Sequence, residues 1–216
     1  MHIAEIWHYP VKSMAGEQLQ SARLTGMGVE GDRVVQVQNA QGRVVTSRTY
    51  PELLGFHATM DGHGQPMIDG QPWTDPKVLA SVRRIVGPGA QLVRDESLER
   101  FDILPLLIAT DGAISAFGRD RRRLRPNLVI GGVSGLDERT WPGLRLEVGK
   151  VVIRMEDLRG RCIMTTFDPD TLAHDPNVLR DIVKRFGGKL ALNSDVVESG
   201  LIHVGQEVKL LQGSHA

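Results

Sequence analysis

Glycine and proline interrupt this chain so often that it must fold into short elements joined by many turns. The 216 residues include 24 glycines and 11 prolines, whereas aromatic residues make up only 5%. The longest uninterrupted apolar run, residues 103–109, contains Pro105 and is far shorter than the roughly 20 residues that a membrane-spanning helix needs. The pattern therefore excludes coiled coils, long helices and a transmembrane segment.

The composition is that of an ordinary globular protein. Hydrophobic residues account for 41% and charged residues for 24% of the chain, enough for one large domain or two small ones with a true core. The 26 basic and 26 acidic residues cancel, so we expect neither a nucleic acid polymer nor a membrane as partner, and any anion site must be local. The N-terminus lacks a secretory signal, which predicts a cytoplasmic protein.

Short apolar and β-branched stretches bounded by turn residues predict strands. Hairpins are predicted at residues 34–38 with 43–46, 144–148 with 151–155, and 201–204 with 207–211. Single strands are predicted at residues 3–7, 67–68, 105–109 and 127–130. The sum is a mostly-β protein with a few short helices, and a Greek-key or closed β-barrel would best protect the edges of its strands.

Two helices carry recognisable start and stop residues. One begins after Asp175 with Pro176 and stops at Gly187, and its periodicity places residues 178, 179, 182, 183 and 186 on one face. The other spans residues 111–117, with Thr110 or Asp111 as N-cap. Residues 78–86 are compatible with a helix or a strand. The turn-rich stretch 87–99 divides the chain into a predicted N-terminal β-rich domain, residues 1–95, and a second domain, residues 96–213.

Cys162 is the only cysteine, which excludes intrachain disulfides, cysteine-rich zinc sites and an iron–sulfur cluster held by this chain alone. Arg159 and Arg161 lie beside it and would favour the thiolate, the form that attacks electrophiles or binds soft metals. The alternative is that this cysteine is a small apolar residue buried in the core.

Five arginines lie within seven positions, 119–125, and are a local source of positive charge. For Arg119 and residues 121–123 a solvated surface is the preferred interpretation. Arg125 differs because it precedes Pro126 at the mouth of an apolar strand, where ligands commonly bind. Lys12, Ser13 and Arg33 occupy turn-like positions whose side chains suit a phosphate, although each alone would be read as surface.

Other common catalytic patterns are missing from the sequence. The seven histidines are scattered without a His-x-x-x-His pair, so zinc hydrolase chemistry has little support. The sequence has neither a Gly-x-x-x-x-Gly-Lys phosphate loop nor a Gly-x-Ser-x-Gly elbow, which argues against nucleotide kinases and serine hydrolases.

Taken together, the motifs YPVKS, GDR, LRPNLVIGG and RCIMTTFDPDT, with Trp141 between the last two, resemble the MOSC-domain proteins that carry an N-terminal β-barrel domain. Within that family they are most similar to the amidoxime-reducing components and to bacterial relatives that reduce hydroxylaminopurines. The resemblance extends from about residue 3 to residue 211. It implies a MOSC-type β-barrel fold and a molybdenum cofactor, molybdopterin with bound molybdenum.

The resemblance also assigns roles to particular residues. It makes Cys162 the molybdenum ligand and the catalytic residue. The remaining cofactor-binding positions are Lys12, Ser13, Arg33, Arg125, Asn127 and Arg161. The chain departs from its relatives at residues 103–105, where Ile-Leu-Pro replaces small or hydroxyl residues, so no side-chain hydrogen bond to the cofactor is expected there.

The implied activity is a molybdenum-dependent oxidoreductase that removes oxygen from N-hydroxylated compounds such as hydroxylaminopurines and amidoximes, a detoxification of N-hydroxylated bases. Since its one cysteine would be used by the metal, electrons must come from a separate electron-transfer protein or reductase. One alternative is a sulfur carrier that holds a persulfide on Cys162 for cofactor maturation. Another is a module that stores the cofactor without turnover.

Overall fold

A computed structural model describes residues 1–211, so the last two positions of the predicted second domain, 212 and 213, lie outside the described residues. The fold is mostly β, as predicted. The strands are β1 His2–His8, β2 Glu17–Leu19, β3 Ser21–Thr25, β4 Gly28–Val29, β5 Val35–Gln38, β6 Val44–Val45, β7 Ala58–Met60, β8 Pro66–Ile68, β9 Gln71–Pro72, β10 Gln91–Arg94, β11 Leu106–Thr110, β12 Leu128–Gly131, β13 Arg145–Val148, β14 Val151–Gly160, β15 Lys189–Glu198, β16 Gly200–His203 and β17 Lys209–Leu211. The α-helices are α1 Pro76–Val86, α2 Asp111–Phe117 and α3 Pro176–Phe186.

One eight-stranded sheet dominates the structure, in the order β17-β13-β14-β15-β11-β12-β1-β2. Its neighbours are antiparallel except β11 and β12, which run parallel and are joined by α2. Side chains such as Ile6, Ile108, Leu128 and Ile153 are fully buried in the main core. Burial of this apolar area supplies most of the driving force for folding, about 25 cal/mol per Å².

A second core lies under the smaller sheets β10-β5-β6 and β7-β8-β9. Helix α1 packs Val78 and Val82 into it, which settles the open choice between helix and strand for this stretch. The Asp75 carboxylate accepts a hydrogen bond from the Lys77 backbone N–H at 2.7 Å, and Pro76 occupies the first turn. A capped start and an apolar face outweigh the β-branched residues here.

Helix α3 begins and ends at the predicted residues. The Asp175 carboxylate caps it by accepting from the Asn177 backbone N–H at 3.0 Å, and Gly187 ends it in the left-handed conformation at φ 63°. The predicted face is only partly correct, because Val178, Ile182 and Phe186 are buried whereas Val183 is 58% exposed. The apolar stripe is wider than the surface against which the helix packs.

The predicted hairpin at the C-terminus does not form. Strand β16 pairs antiparallel with β3, from Gly200 opposite Leu24 to His203 opposite Ser21. Strand β17 pairs instead with β13. The turn at Gly205-Gln206 is present, but its glutamine carbonyl accepts from the Ile3 backbone N–H at 2.9 Å, so the two strands diverge to different sheets. The other two predicted hairpins are formed.

Strand pairing crosses the predicted domain boundary. Strand β1, from the first region, lies between β12 and β2 inside the large sheet. The division into residues 1–95 and 96–213 stays a prediction. Among residues 1–211, no helix combines the length and the apolar composition needed to cross the membrane.

Candidate functional site

The side chains singled out in the sequence meet around one cavity at the N-terminal ends of the parallel strands β11 and β12. Its open space, mouth included, is about 780 Å³. The wall includes every predicted site residue: Lys12, Ser13, Arg33, Arg125, Asn127, Arg161 and Cys162. Residues more than 100 positions apart in the chain therefore face one space.

The cavity wall is strongly basic although the protein has no net charge. Its cations are Lys12, Arg33, Arg48, Arg123, Arg125, Arg159 and Arg161. Within the described residues, Asp102 is the one carboxylate that lines the same wall. Among the described residues the wall thus has seven basic groups against one acid, a composition that suits an anion such as a phosphate.

Three of the predicted residues have an unusual backbone. Ser13, Arg33 and Arg125 have φ values of 72°, 56° and 54°, in the left-handed region that residues with a Cβ rarely adopt. Six described non-glycine residues have positive φ, and half of them line this cavity. Such strain persists only where the surrounding structure holds it, and it clusters at functional sites.

Asp32 fixes the turns that carry these residues. This carboxylate is fully buried and accepts hydrogen bonds from the Tyr9 backbone N–H at 2.8 Å and from the Asn127 side-chain amide at 3.2 Å. It also pairs with the Arg33 guanidinium. The sequence analysis missed Asp32 as a site residue, although it is the central residue of the GDR motif.

The side chain of Asn127 forms its hydrogen bonds with other residues of the protein. Its side-chain oxygen accepts from the Leu107 backbone N–H at 3.1 Å, and its amide nitrogen donates to Asp32 and, at 3.4 Å, to the Trp7 carbonyl. This amide links β11, the end of β1 and the Asp32 turn. A positioning role for Asn127 follows, and its predicted contact with a cofactor stays a prediction.

Arg125 lies over the face of Tyr9, with its guanidinium carbon 4.3 Å from the ring centroid. Burial lowers the pKa of Arg125 to about 10 and raises the pKa of Tyr9 to about 12. The Tyr9 hydroxyl donates to the Pro126 carbonyl at 3.2 Å. A half-buried guanidinium that lies over a neutral ring keeps most of its charge for a ligand.

The Arg161 side chain is only partly hydrogen-bonded although its nitrogens are buried in the wall. One of its terminal nitrogens donates to the Leu124 carbonyl at 2.7 Å, whereas Nε and Nη1 are buried without a hydrogen-bond partner among the described residues. Burial lowers the pKa of Arg161 to about 10. Buried donors are normally paired, so two free ones in a cavity wall point to an acceptor supplied from outside the protein.

Cys162 is partly exposed, and the 3₁₀ turn Ile163–Thr166 follows it directly. The Cys162 carbonyl accepts from the Thr165 backbone N–H at 3.0 Å and from the Thr165 hydroxyl at 2.9 Å. Burial would lower the pKa of Arg48, but Asp102 and the Cys162 sulfur together raise it. The Cys162 side chain lines the same cavity as the Arg48 and Arg159 guanidiniums.

Asp102 organises a second group of wall residues, of which Asp102 itself and Arg48 were not singled out in the sequence. Its carboxylate contacts Lys12 Nζ at 3.1 Å, Arg48 Nη2 at 2.5 Å and Arg159 Nη2 at 3.4 Å. Burial would raise the pKa of Asp102, but these cations hold it below its ordinary value. Arg48 had no sequence signal, since it lies in an unremarkable loop after β6.

The arginine cluster divides into two kinds of side chain. As predicted, Arg119, Arg121 and Arg122 lie at the surface, where they pair with carboxylates. For Arg123 the surface prediction is wrong: its side chain is 10% exposed, lines the cavity and contacts Asp168 at 2.9 Å. The 3₁₀ turn Arg121–Arg123 directs its last residue inward.

A second groove adjoins the cavity and shares Arg123, Arg125 and Met164 with it. Its open space, mouth included, is about 1270 Å³. Its remaining wall includes the aromatic and apolar side chains of Trp7, Tyr9, Leu54, His57 and Phe167, together with the carboxylates of Glu17 and Asp170. A flat organic molecule with one end near the Cys162 cavity would fit these surroundings.

Comparisons with known proteins find two matching family descriptions and several relatives. Residues 1–85 match the family described as MOSC N-terminal beta barrel domain, and residues 114–209 match the MOSC domain. A mitochondrial amidoxime reducing component 2 from Macaca fascicularis is 28% identical over 85% of this chain and 72% of its own length. The human mitochondrial amidoxime-reducing component 1 is 24% identical over 78% of this chain and 67% of its own length.

The crystal structure of the YuaD protein from Bacillus subtilis has a similar fold. It superposes with a TM-score of 0.55, covering 98% of this chain and 95% of its own, at 12% sequence identity. At that identity the likeness concerns the fold alone.

Proposed function

This chain belongs to the MOSC-domain proteins that carry an N-terminal β-barrel domain, and from that premise we propose that it is a molybdenum-cofactor-dependent reductase of N-hydroxylated compounds. The observation that carries the proposal is the cavity in which Cys162 shares a wall with seven cations and, within residues 1–211, a single carboxylate. Relatives named amidoxime reducing components favour a reductase over a sulfur carrier.

The residues of the cavity fit a molybdenum cofactor. Two unpartnered donors on Arg161 and the exposed positive charge of the wall suit its phosphate. The single polarizable sulfur of Cys162 suits a soft metal. Within residues 1–211 no cluster of three or more histidine, cysteine or acidic side chains offers a metal site held by the protein alone, so the other metal ligands must come from the cofactor.

Each part of the wall then has a task. Lys12, Arg33, Arg125 and Arg161 would hold the phosphate end, Cys162 would hold the metal, and Asp32 and Asn127 would keep the turns in place. Leu104 lines the cavity with an apolar side chain. When bound, the cofactor supplies the two-electron oxygen-removing chemistry.

The overall reaction is R–NHOH + 2 e⁻ + 2 H⁺ → R–NH₂ + H₂O, in which the N–O bond breaks and water leaves. The protein side chains bind and orient the reactants, and the adjoining aromatic groove offers room for the ring of a hydroxylaminopurine. The electrons come from a separate carrier protein because this chain holds a single cysteine.

The test compares molybdenum content and turnover in the wild type and in Cys162→Ala. Protein produced with molybdopterin should hold about one molybdenum per chain and should reduce a hydroxylaminopurine or an amidoxime with an artificial electron donor. Cys162→Ala should lose turnover and most of the metal, whereas Arg84→Gln, on the exposed face of α1, should behave as the wild type. Fully loaded protein without turnover, or cyanide-labile sulfur in place of metal, would overturn the proposal.

A further inference from the structure

Helix α3 presents an apolar strip to solvent beside the turn that follows Cys162. Val183 is 58% exposed, and it lies near Ile163, which is 40% exposed. The two elements enclose an open groove, called here the α3 groove, with about 910 Å³ of space including its mouth. The α3 groove is lined by Ile163, Thr166, His174, Pro176, Leu179, Arg180, Val183 and Lys184.

A single 3₁₀ turn borders both the α3 groove and the Cys162 cavity. Ile163 and Thr166 line the groove, whereas Met164, between them in the chain, lines the cavity. Hydrogen bonds hold the turn: the Thr166 hydroxyl donates to the Ile163 carbonyl at 2.6 Å, and Thr165 donates twice to the Cys162 carbonyl. A molecule seated in the groove would therefore lie one turn of backbone away from the Cys162 thiol.

The charged groups at the rim have one sign. Arg180 and Lys184 lie on the exposed side of α3, and no carboxylate lines the groove among residues 1–211. Within that range neither cation forms an ion pair, since Arg180 donates only to the Asn177 side-chain oxygen at 3.1 Å. Asp181, the acidic residue of this helix, is instead paired with Arg119 at 3.4 Å. The rim thus offers uncompensated positive charge to a partner.

We propose that the α3 groove is the docking surface for a small acidic one-electron carrier protein that delivers electrons to the Cys162 cavity. This inference rests on the proposed function, which needs two electrons for each N–O bond broken. Two reduced carriers would dock in succession, and each would leave oxidised by one electron. The carrier's carboxylates would face Arg180 and Lys184 while an apolar patch contacts Val183.

The size of the groove supports a transient contact over a stable dimer. Eight residues line it, whereas a lasting interface uses about 20–30 residues on each side. Electron-transfer complexes lie at the small end of the range, because the carrier must leave after each transfer. A second copy of this chain would also bring its own basic rim against the first, which like charges oppose.

The experiment uses the molybdenum-loaded protein with a plant-type ferredoxin and a flavodoxin, both acidic one-electron carriers. Binding is followed by NMR titration of the labelled carrier, and reduction is followed by stopped flow at low and high salt. The double variant Arg180→Glu/Lys184→Glu should weaken binding and slow reduction by about tenfold or more at low salt. The wild-type rate should fall with ionic strength, and the variant's rate should not.

Two controls keep the proposal distinct from the proposed function. Lys77→Glu/Arg84→Glu makes the same charge change on α1 and should leave binding and reduction at wild-type values. Photoreduced 5-deazariboflavin, an uncharged donor, should support equal turnover in all variants. If the molybdenum-loaded wild type shows no turnover with 5-deazariboflavin, the proposed function is overturned. The NMR titration tests the docking surface independently of that result.

Three results would overturn the proposal. Neither carrier binds the wild type; the α3 and α1 double variants bind the carriers equally well; or Val183→Asp abolishes a dimer detected in solution, which would show that the groove belongs to a second copy. The far-ultraviolet circular dichroism of each variant confirms that α3 is folded.

Discussion

At the scale of single residues, burial decides which groups remain available to a ligand. Arg122 and Arg125 are three positions apart, yet the first forms ion pairs with Asp120 and Asp170 at the surface and the second lies half-buried over Tyr9. A paired guanidinium has little charge left for a ligand, whereas Arg125 forms no ion pair with any described residue and lies over a neutral ring. The partners of each arginine therefore predict its availability to a ligand better than the number of arginines in the segment does.

Arg125→Met should lower the molybdenum content of the purified protein at least about tenfold, because it removes the charge and the two-pronged donor while keeping a long apolar stem. The molybdenum content of Arg125→Lys should lie between those of the wild type and Arg125→Met. Lysine keeps the positive charge but loses the two-pronged guanidinium donor and its stacking on Tyr9. Metal analysis of proteins matched for thermal stability makes the comparison. Equal molybdenum in Arg125→Met and in the surface variant Arg84→Met would remove Arg125 from the site.

Glu138 gives a prediction about pH. It is fully buried, one carboxylate oxygen accepts from the Thr110 hydroxyl at 3.2 Å, and the other lacks a partner among the described residues. Burial raises the pKa of Glu138. In the unfolded chain the Glu138 carboxyl loses its proton near pH 4.3. Above that pH, folding requires this carboxyl either to take up a proton or to be buried as a charge. The protein therefore loses stability as pH rises through the folded pKa of Glu138.

Glu138→Gln carries no charge at any pH, so its stability relative to the wild type should increase as pH rises from about 4 to 8. Denaturant unfolding at a series of pH values measures the difference in unfolding free energy. Asp137→Asn, the exposed neighbour, should show no such slope. A flat difference for Glu138→Gln would mean that burial does not disfavour the carboxylate.

At the scale of elements, short helices depend on their caps. The Thr110 hydroxyl accepts from the Ala113 backbone N–H at 3.1 Å, and α2 is only seven residues long. The Asp111 carboxylate accepts from the backbone N–H groups of Gly112, Gly132 and Val133 at 2.8, 2.7 and 3.0 Å. These bonds fasten α2 to the loop after β12, which the isolated helix propensity of seven residues would not do.

Asp111→Ala should lower the free energy of unfolding by about 1–2 kcal/mol at neutral pH, because three backbone donors lose their acceptor. Burial would raise the pKa of Asp111, but those backbone N–H groups hold it below its ordinary value. Its stabilising effect is therefore complete above about pH 4 and is lost as pH falls through the folded pKa. The difference between wild type and variant should shrink in acid, and Glu99→Ala, an exposed acid, should show no such dependence.

At the scale of the whole molecule, a protein with zero net charge concentrates positive charge in one cavity. The 26 acidic residues balance the 26 basic ones over the whole surface, whereas the cavity wall has seven cations and Asp102. Mutual repulsion among these cations is a cost to folding that a bound anion would relieve. The position of charge, more than its sum, indicates the ligand.

Inorganic pyrophosphate should therefore raise the melting temperature of the cofactor-free protein, by the equivalent of about 2.7 kcal/mol at a concentration 100 times its dissociation constant. Sodium chloride of equal ionic strength should not. Arg161→Met should reduce the shift, because it removes two unpartnered donors from the wall, and Arg84→Met should keep it. A pyrophosphate effect that is equal in all three proteins would indicate general screening.

Much of the local structure was predictable because its causes are local. Asp175, Pro176 and Gly187 set both ends of α3, and the turn residues 39–42 set the hairpin of β5 and β6. The mostly-β fold followed from the glycines, prolines and short β-branched runs. The motifs around Lys12, Arg33, Arg125 and Cys162 also pointed to residues that line one cavity.

The sequence by itself determined where elements start and stop and which residues carry the candidate chemistry, because caps, turns and periodicity act over a few neighbouring positions. Only the tertiary structure decided the partners of β16 and β17, the inward path of Arg123 and the gathering of Arg48, Arg159 and Asp102 beside Cys162. It also left Val183 in solvent. These outcomes depend on which faces bury each other across the chain, and that competition is settled between residues far apart in sequence.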